Sequence, residues 1–198
     1  MFQLADIRDT LAERQPRLQS ELDRRHAAVA LVLRGPADAL QLLFIQRSSH
    51  PRDPWSGNLA FPGGKIDPQD HAPRLAAERE AREEVGLELA GAEFLGRLDD
   101  ITGAYLPVLV SCFVYHLARP APLRCNHEVN QAFWFPLDKL LDPARHALAD
   151  IPWGGQSRKV LAIDLLGPGR PVLWGITYRL VQQFVQTLGL DFPRSPCR

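Results

Sequence analysis

Gly64-Lys-Ile-Asp-Pro-Gln-Asp70, followed after eight residues by Arg79-Glu-Ala-Arg-Glu-Glu-Val-Gly-Leu87, is the stretch that decides how this chain is read. Residues three and four apart share one face of a helix, so Glu80, Glu83 and Glu84 are expected to project together. Three like charges on one stripe repel each other. A hard divalent cation with a preference for oxygen ligands removes that repulsion, and magnesium is the usual one where phosphates react. Arg79, four residues before Glu83, is placed to pair with it and fix its direction. Gly86 suits the left-handed position that ends a helix. The plain alternative is a charged surface helix held by Glu78–Arg82 and Arg79–Glu83 pairs. Three Glu, one Arg and two Gly at fixed positions arise by chance in only about one in 10⁵ chains of this length, which favours the site.

The spacing resembles the box of the Nudix hydrolases, Gly-x5-Glu-x7-Arg-Glu-U-x-Glu-Glu-x-Gly-U, where U is a bulky aliphatic residue. Arg79, Glu80, Glu83, Glu84, Gly86 and Leu87 stand at the expected positions. Asp70 replaces the first Glu, the gap to Arg79 is one residue longer, and Ala81 is smaller than usual. The extra residue precedes the helix, where a loop can absorb it. The resemblance implies metal-dependent hydrolysis of a phosphoanhydride, with Mg²⁺ or Mn²⁺ held by Glu80, Glu83, Glu84 and the carbonyl of Gly63. Glu80, Glu83 and Arg79 form the expected catalytic set. Family members place the general base differently, so Glu80 stands as ligand or base.

Around the box, the chain carries balanced charge, 23 basic and 23 acidic residues, which gives no reason to expect nucleic acid or acidic membrane as a partner. No apolar run approaches the length of a membrane-spanning helix. Cys112, Cys125 and Cys197 are odd in number and widely spaced, and read as reduced thiols. The expectation is a soluble cytoplasmic protein acting on a small nucleoside diphosphate derivative, with a homodimer left open.

Leu4, Ile7 and Leu11 predict a short helix before Pro16, so residues 1–25 are expected to be an N-terminal helical extension and 26–198 the hydrolase domain. Strands are expected over 27–33, 41–46, 59–61, 94–98, 108–117, 131–135 and 159–165. The box helix should span about 72–85, with Ala77, Ala81 and Val85 as a small-residue seam, and an amphipathic helix should cover 175–188. Interspersed strands and helices give a mixed-sheet αβ domain. The resemblance sharpens this to an α/β/α sandwich with the mixed sheet between helices.

Three basic residues lie in or beside loops that lead into the box: Arg47, Arg52 and Lys65 are the candidates to grip phosphate. Glu128 is a candidate extra carboxylate from outside the box, set against a solvated loop glutamate. Trp55 either stacks on a base or packs over the core. His50 and His71 read as surface residues and Tyr178 as core.

The segment Leu42-Leu-Phe-Ile-Gln-Arg-Ser48, the run Leu59-Ala-Phe-Pro-Gly-Gly-Lys65 and Trp174-Gly-Ile-Thr177 resemble elements of the coenzyme A diphosphatase group. Trp55-Ser-Gly-Asn58 stands where that group has a His-Pro-Gly-Gln-like run. The resemblance implies cleavage of coenzyme A or its derivatives to 4′-phosphopantetheine and adenosine 3′,5′-bisphosphate. ADP-ribose or a nucleotide sugar is the alternative substrate, and a non-catalytic ligand-sensing or interaction module the alternative of another class.

Overall fold

A computed structural model of the protein describes residues 2–19, 25–50, 55–103, 107–119 and 122–193. Its centre is strand β1 (Arg25–Arg34), in which successive side chains go to opposite faces of a sheet. Val29, Leu31 and Leu33 enter one core, while Ala28, Ala30 and Val32 enter the other. β2 (Gln41–Arg47) alternates in the same way, with Leu42 and Phe44 on the first side and Leu43 and Ile45 on the second. Continuous apolar runs of this kind mark strands covered on both faces.

β1 runs parallel to β7 (Val108–Leu117) along its whole length, from Arg25↔Val108 to Arg34↔Leu117. The other pairings in the sheet are antiparallel: β2 with β1, β3 (Leu59–Ala60) and β8 (Val129–Pro136), and β7 with β5 (Glu93–Arg97) and β6 (Ile101–Thr102). β4 (Gly63–Lys65) also pairs antiparallel with β1, completing an eight-stranded mixed sheet. A parallel pair requires a long crossover, and helix α2 (Pro73–Val85) lies within it. α2 packs on one face through Ala76, Ala77, Ala81 and Val85, all fully buried. The opposite face is covered by α1 (Leu4–Glu13) and α3 (Gly175–Thr187). The α/β/α sandwich expected from the sequence is the architecture found.

Leu4, Ile7 and Leu11 of α1 belong to the same core as Tyr178, Leu180, Val181, Phe184 and Val185 of α3. The sequence offers one strand near residues 159–165, where the structure has a hairpin of β9 (His146–Trp153) and β10 (Gln156–Ile163). β9 lacks a β-rich composition, which hid it. The signal that could have found it is Gly154-Gly155, both with positive φ (59° and 78°), which suits a two-residue hairpin turn.

α2 starts at Pro73, where the missing N–H costs nothing, and ends at Gly86 with φ 72°. Leu87 N–H donates to the Ala81 carbonyl at 3.2 Å and Gly86 N–H to that of Arg82 at 3.0 Å, the double closure that a left-handed glycine permits. The remaining carbonyls at this end are taken by a neighbouring segment: Arg124 N–H donates to Val85 at 2.9 Å and Asn126 N–H to Glu84 at 3.0 Å. A Cβ added at Gly86 would stand 3.2 Å from Arg124 Cβ. Gly86→Ala is therefore expected to lose about 1–2 kcal/mol of stability, lowering the midpoint of a urea melt without changing its slope. An unchanged midpoint would mean that the cap does not hold the helix end.

Candidate active site

The box loop reaches the helix through the glycine pair. Gly63 lies opposite Val29 in the β1–β4 ladder with φ 153°, and an added Cβ would collide with the Ala28 carbonyl and Val29. At Gly64 the obstacle is different: a Cβ would sit 2.5 Å from Glu80 Oε1 and 2.8 Å from Oε2. The first glycine lets the backbone press onto β1, and the second leaves room for a carboxylate.

The three box glutamates do not share one environment. Glu84 is buried, at 1 % exposure, and its Oε2 accepts the Gly63 N–H at 2.8 Å. Arg47 Nη1 lies 4.0 Å from its Oε1. Burial pushes the Glu84 carboxyl up to about 8, against the pull of the Gly63 N–H and the Arg47 charge; the nearby Glu80 charge adds to the rise. Glu80 is also raised, first by burial, although Arg79 opposes it. Glu83 by contrast is half exposed. The sequence expectation of one common stripe is thus refined: Glu80 and Glu84 turn inward and Glu83 outward.

Arg79 does more than orient Glu83. Its Nε and Nη2 donate to the two oxygens of Asp70 at 3.1 and 2.9 Å. Its Nη1 donates to Glu80 Oε1 at 2.9 Å and to Glu83 Oε2 at 3.1 Å, and its Nη2 also reaches the Lys65 carbonyl at 3.1 Å. The Asp70 hydrogen bonds raise the guanidinium's pKa and hold the Asp70 carboxyl below its ordinary range. Asp70, one residue out of register in the sequence, is the forked partner of Arg79, a role that the sequence reading missed. Residues 71–72 lie between Asp70 and the start of α2 at Pro73.

Glu128 stands close enough to raise both Glu80 and Glu84 by its charge, which places it at the site. Its carbonyl accepts Ser48 N–H at 2.8 Å and its N–H donates to Asn126 Oδ1 at 2.8 Å. Lys65 contributes its backbone to the Arg79 network, and its side chain is exposed. Arg52 lies outside the described residues. Trp55 packs against the core, and its neighbour Asn58 accepts a hydrogen bond from Trp174 Nε1 at 3.2 Å, tying the start of α3 to the loop before the box. His50 and His71 are exposed and Tyr178 is buried, as expected.

Among the described residues, no three carboxylate, histidine or cysteine side chains converge closely enough to hold an ion, and Arg79 occupies oxygens of both Glu80 and Glu83. The donor set nevertheless fits a hard cation. Glu84 and Glu80 are oxygen donors whose charge burial disfavours, and Gly64 keeps a space open against Glu80. Among these residues no helix is long and apolar enough to cross a membrane.

A carboxyl whose folded value lies above its unfolded one binds a proton on folding between the two values. Its contribution is therefore favourable at low pH and declines as pH rises toward 8. In chelator, the thermal midpoint should fall by several degrees between about pH 5 and 8, and Glu84→Gln should flatten that slope and raise the midpoint at pH 8. Parallel slopes for the two proteins would assign the pH dependence to other groups.

The site belongs to a chain with clear relatives. The NUDIX domain family matches residues 24–153. The uncharacterized Nudix hydrolase NudL of Escherichia coli is 32% identical over 182 residues, covering 89% of this chain and 90% of its own. The mitochondrial coenzyme A diphosphatase NUDT8 of Homo sapiens is 34% identical over 167 residues, covering 82% of this chain and 69% of its own. A MutT/nudix family protein from Enterococcus faecalis shares the fold at a TM-score of 0.55 and 18% identity, covering 94% of this chain and 74% of its own. With the family's domain spanning the sheet and α2, and relatives above 30% identity over most of its length, the chain is a member of the Nudix hydrolase family.

Proposed function

We propose that this Nudix hydrolase cleaves the phosphoanhydride of coenzyme A or its derivatives, giving 4′-phosphopantetheine and adenosine 3′,5′-bisphosphate. The observation that carries this reading is the 34% identity to a coenzyme A diphosphatase over 82% of the chain. The Arg47-Ser48 pair, the Phe61-Pro-Gly-Gly-Lys65 run and the Trp174-Gly-x-Thr element support it from the sequence.

In this reading Glu80, Glu83, Glu84 and the Gly63 carbonyl hold Mg²⁺ or Mn²⁺, with Glu128 as an extra carboxylate. The bound ion would supply neutralisation of the phosphate charge and a water more acidic than bulk water. Gly63 N–H and the clasp at Asn126 keep Glu84 aimed inward. Arg79, locked by Asp70, sets the directions of Glu80 and Glu83. Arg47, at the end of β2 and within 4.0 Å of Glu84, offers a guanidinium to the diphosphate, with Lys65 and Arg52 as further basic groups. Glu80 or Glu128 accepts the proton released in attack.

Glu83→Gln and Glu84→Gln are expected to abolish most hydrolysis while the fold persists; both variants keeping more than about a tenth of the parent kcat would move the site elsewhere. Arg79→Ala should act through the apparent affinity for magnesium, recovering part of its rate in excess metal. An unchanged metal dependence would leave Arg79 as a surface partner only. For substrate choice, coenzyme A should exceed 3′-dephospho-coenzyme A in kcat/KM by about tenfold or more, the effect of a charge-assisted hydrogen bond to the 3′-phosphate. Equal values, or faster turnover of ADP-ribose, would overturn the coenzyme A assignment.

A further inference from the structure

A cleft of about 330 Å³ lies between the polar face of α3, residues 17–19 and the turn joining β5 to β6. It is roofed by α3, whose apolar side packs on the sheet face opposite α2, and none of the box glutamates lines it. Its charges are unequally satisfied. Asp99 Oδ1 accepts Arg14 Nη2 at 2.6 Å and the Arg17 N–H at 2.7 Å. Asp100 is buried; its Oδ1 accepts Arg97 Nη2 at 2.6 Å and Ser111 Oγ at 2.9 Å, and its Oδ2 accepts the Gln19 N–H at 3.0 Å. Asp100 therefore spends both oxygens, and Asp99 its Oδ1, on groups other than the two guanidiniums that line the cleft. Arg179 is exposed and donates through Nη1 to the Thr102 carbonyl at 2.7 Å, and among the described residues no acid pairs with it. Arg17 is exposed, and among the described residues its guanidinium meets no acid.

Gln182, Gln183 and Gln186 complete the polar wall, and Gln183 Oε1 is buried without a partner. A phosphomonoester dianion carries two negative charges to set against the two guanidiniums, which a single carboxylate does not. The amides call for partners that both donate and accept, as ring hydroxyls do. The volume exceeds the needs of a bare phosphate and stands at the low end of small-molecule sites. We infer that this cleft is a second ligand site, separate from the hydrolytic one, for a small phosphorylated molecule with a hydroxylated ring.

The position of the cleft gives such a ligand a route of influence. Thr102, which Arg179 holds, pairs with Leu109; Leu109 pairs with His26; and the His26 carbonyl accepts the Ile66 N–H at 3.0 Å. One row of backbone pairing thus runs from the cleft to the box loop.

The test uses ribose 5-phosphate as the probe, with inorganic phosphate and ribose as the other arms, titrated into the full chain and followed by calorimetry and by backbone amide shifts. The expected result is saturable binding of ribose 5-phosphate, tighter than that of either fragment, with shifts concentrated at residues 97–103 and 179–186. Arg17→Gln should weaken it by about tenfold or more, since it removes charge-assisted hydrogen bonds, while turnover of a diphosphate substrate without the probe stays as in the parent. Arg17 is exposed, so this variant does not threaten the fold, and Gln183→Leu provides a second variant that should weaken ribose 5-phosphate more than inorganic phosphate. Shifts centred on residues 63–65 and 79–84 would overturn the proposal, as would an affinity unchanged in Arg17→Gln or absence of saturation. Equal affinity for inorganic phosphate would overturn the phosphorylated-ring assignment. The outcome is independent of which diphosphate the box cleaves.

Discussion

The contact between Gly63 N–H and the Glu84 carboxylate is the interaction on which the rest of the site depends. It joins the sheet to the helix where the glycine pair leaves backbone, not side chain, at the surface. For it to exist, β4 must lie against β1 with no Cβ at residue 63, and α2 must approach closely, which Ala76, Ala77 and Ala81 allow. Larger residues on that seam would lift the helix and withdraw the carboxylate. The alanine that departs from the family's bulky position, Ala81, is part of this close approach, and it is fully buried.

A buried carboxylate is costly, and the fold sets several groups against that cost without cancelling it. One N–H and a distant guanidinium leave the Glu84 carboxyl at about 8. Arg79 treats the more exposed acids differently: a single guanidinium serves Asp70, Glu80, Glu83 and a carbonyl, so removing any one acid leaves the others still paired. Asp70, Glu80 and Glu83 are thus held in a shared network, whereas Glu84 depends on its backbone partner. In the proposed metal site, that division would separate a ligand fixed in place from ligands that can adjust around an ion.

Much of the architecture is legible in the sequence because period and punctuation agree. β1 and β2 show themselves as apolar runs, α2 begins at Pro73 and stops at Gly86, and α3 carries its apolar stripe at helical spacing. The site is legible in composition and less so in geometry. Helical spacing groups Glu80, Glu83 and Glu84, but it cannot tell which faces the sheet, since that depends on where β4 comes to rest. Asp70 looks like a deviation in sequence and proves to be the forked partner of Arg79, because a loop of irregular backbone has no period from which its side chains can be aimed. β9 was hidden for a related reason: His146-Ala-Leu-Ala-Asp150 has little strand propensity, and pairing with β10 overrides it.

The segment from Arg124 to Glu128 is fastened at three backbone points: to Val85, to Glu84 and to Ser48. It therefore moves with the box helix as one body, carrying Glu128 along. Chain preceding Arg124 lies outside these fastenings, so a change of length there need not shift the carboxylates. Such an arrangement lets that connection vary in length while the acids on α2 and at Glu128 keep their places. An insertion between Arg124 and Glu128, by contrast, would break the register between the two sources of acid, and variation in this protein's descendants should be sparse there and abundant just before it.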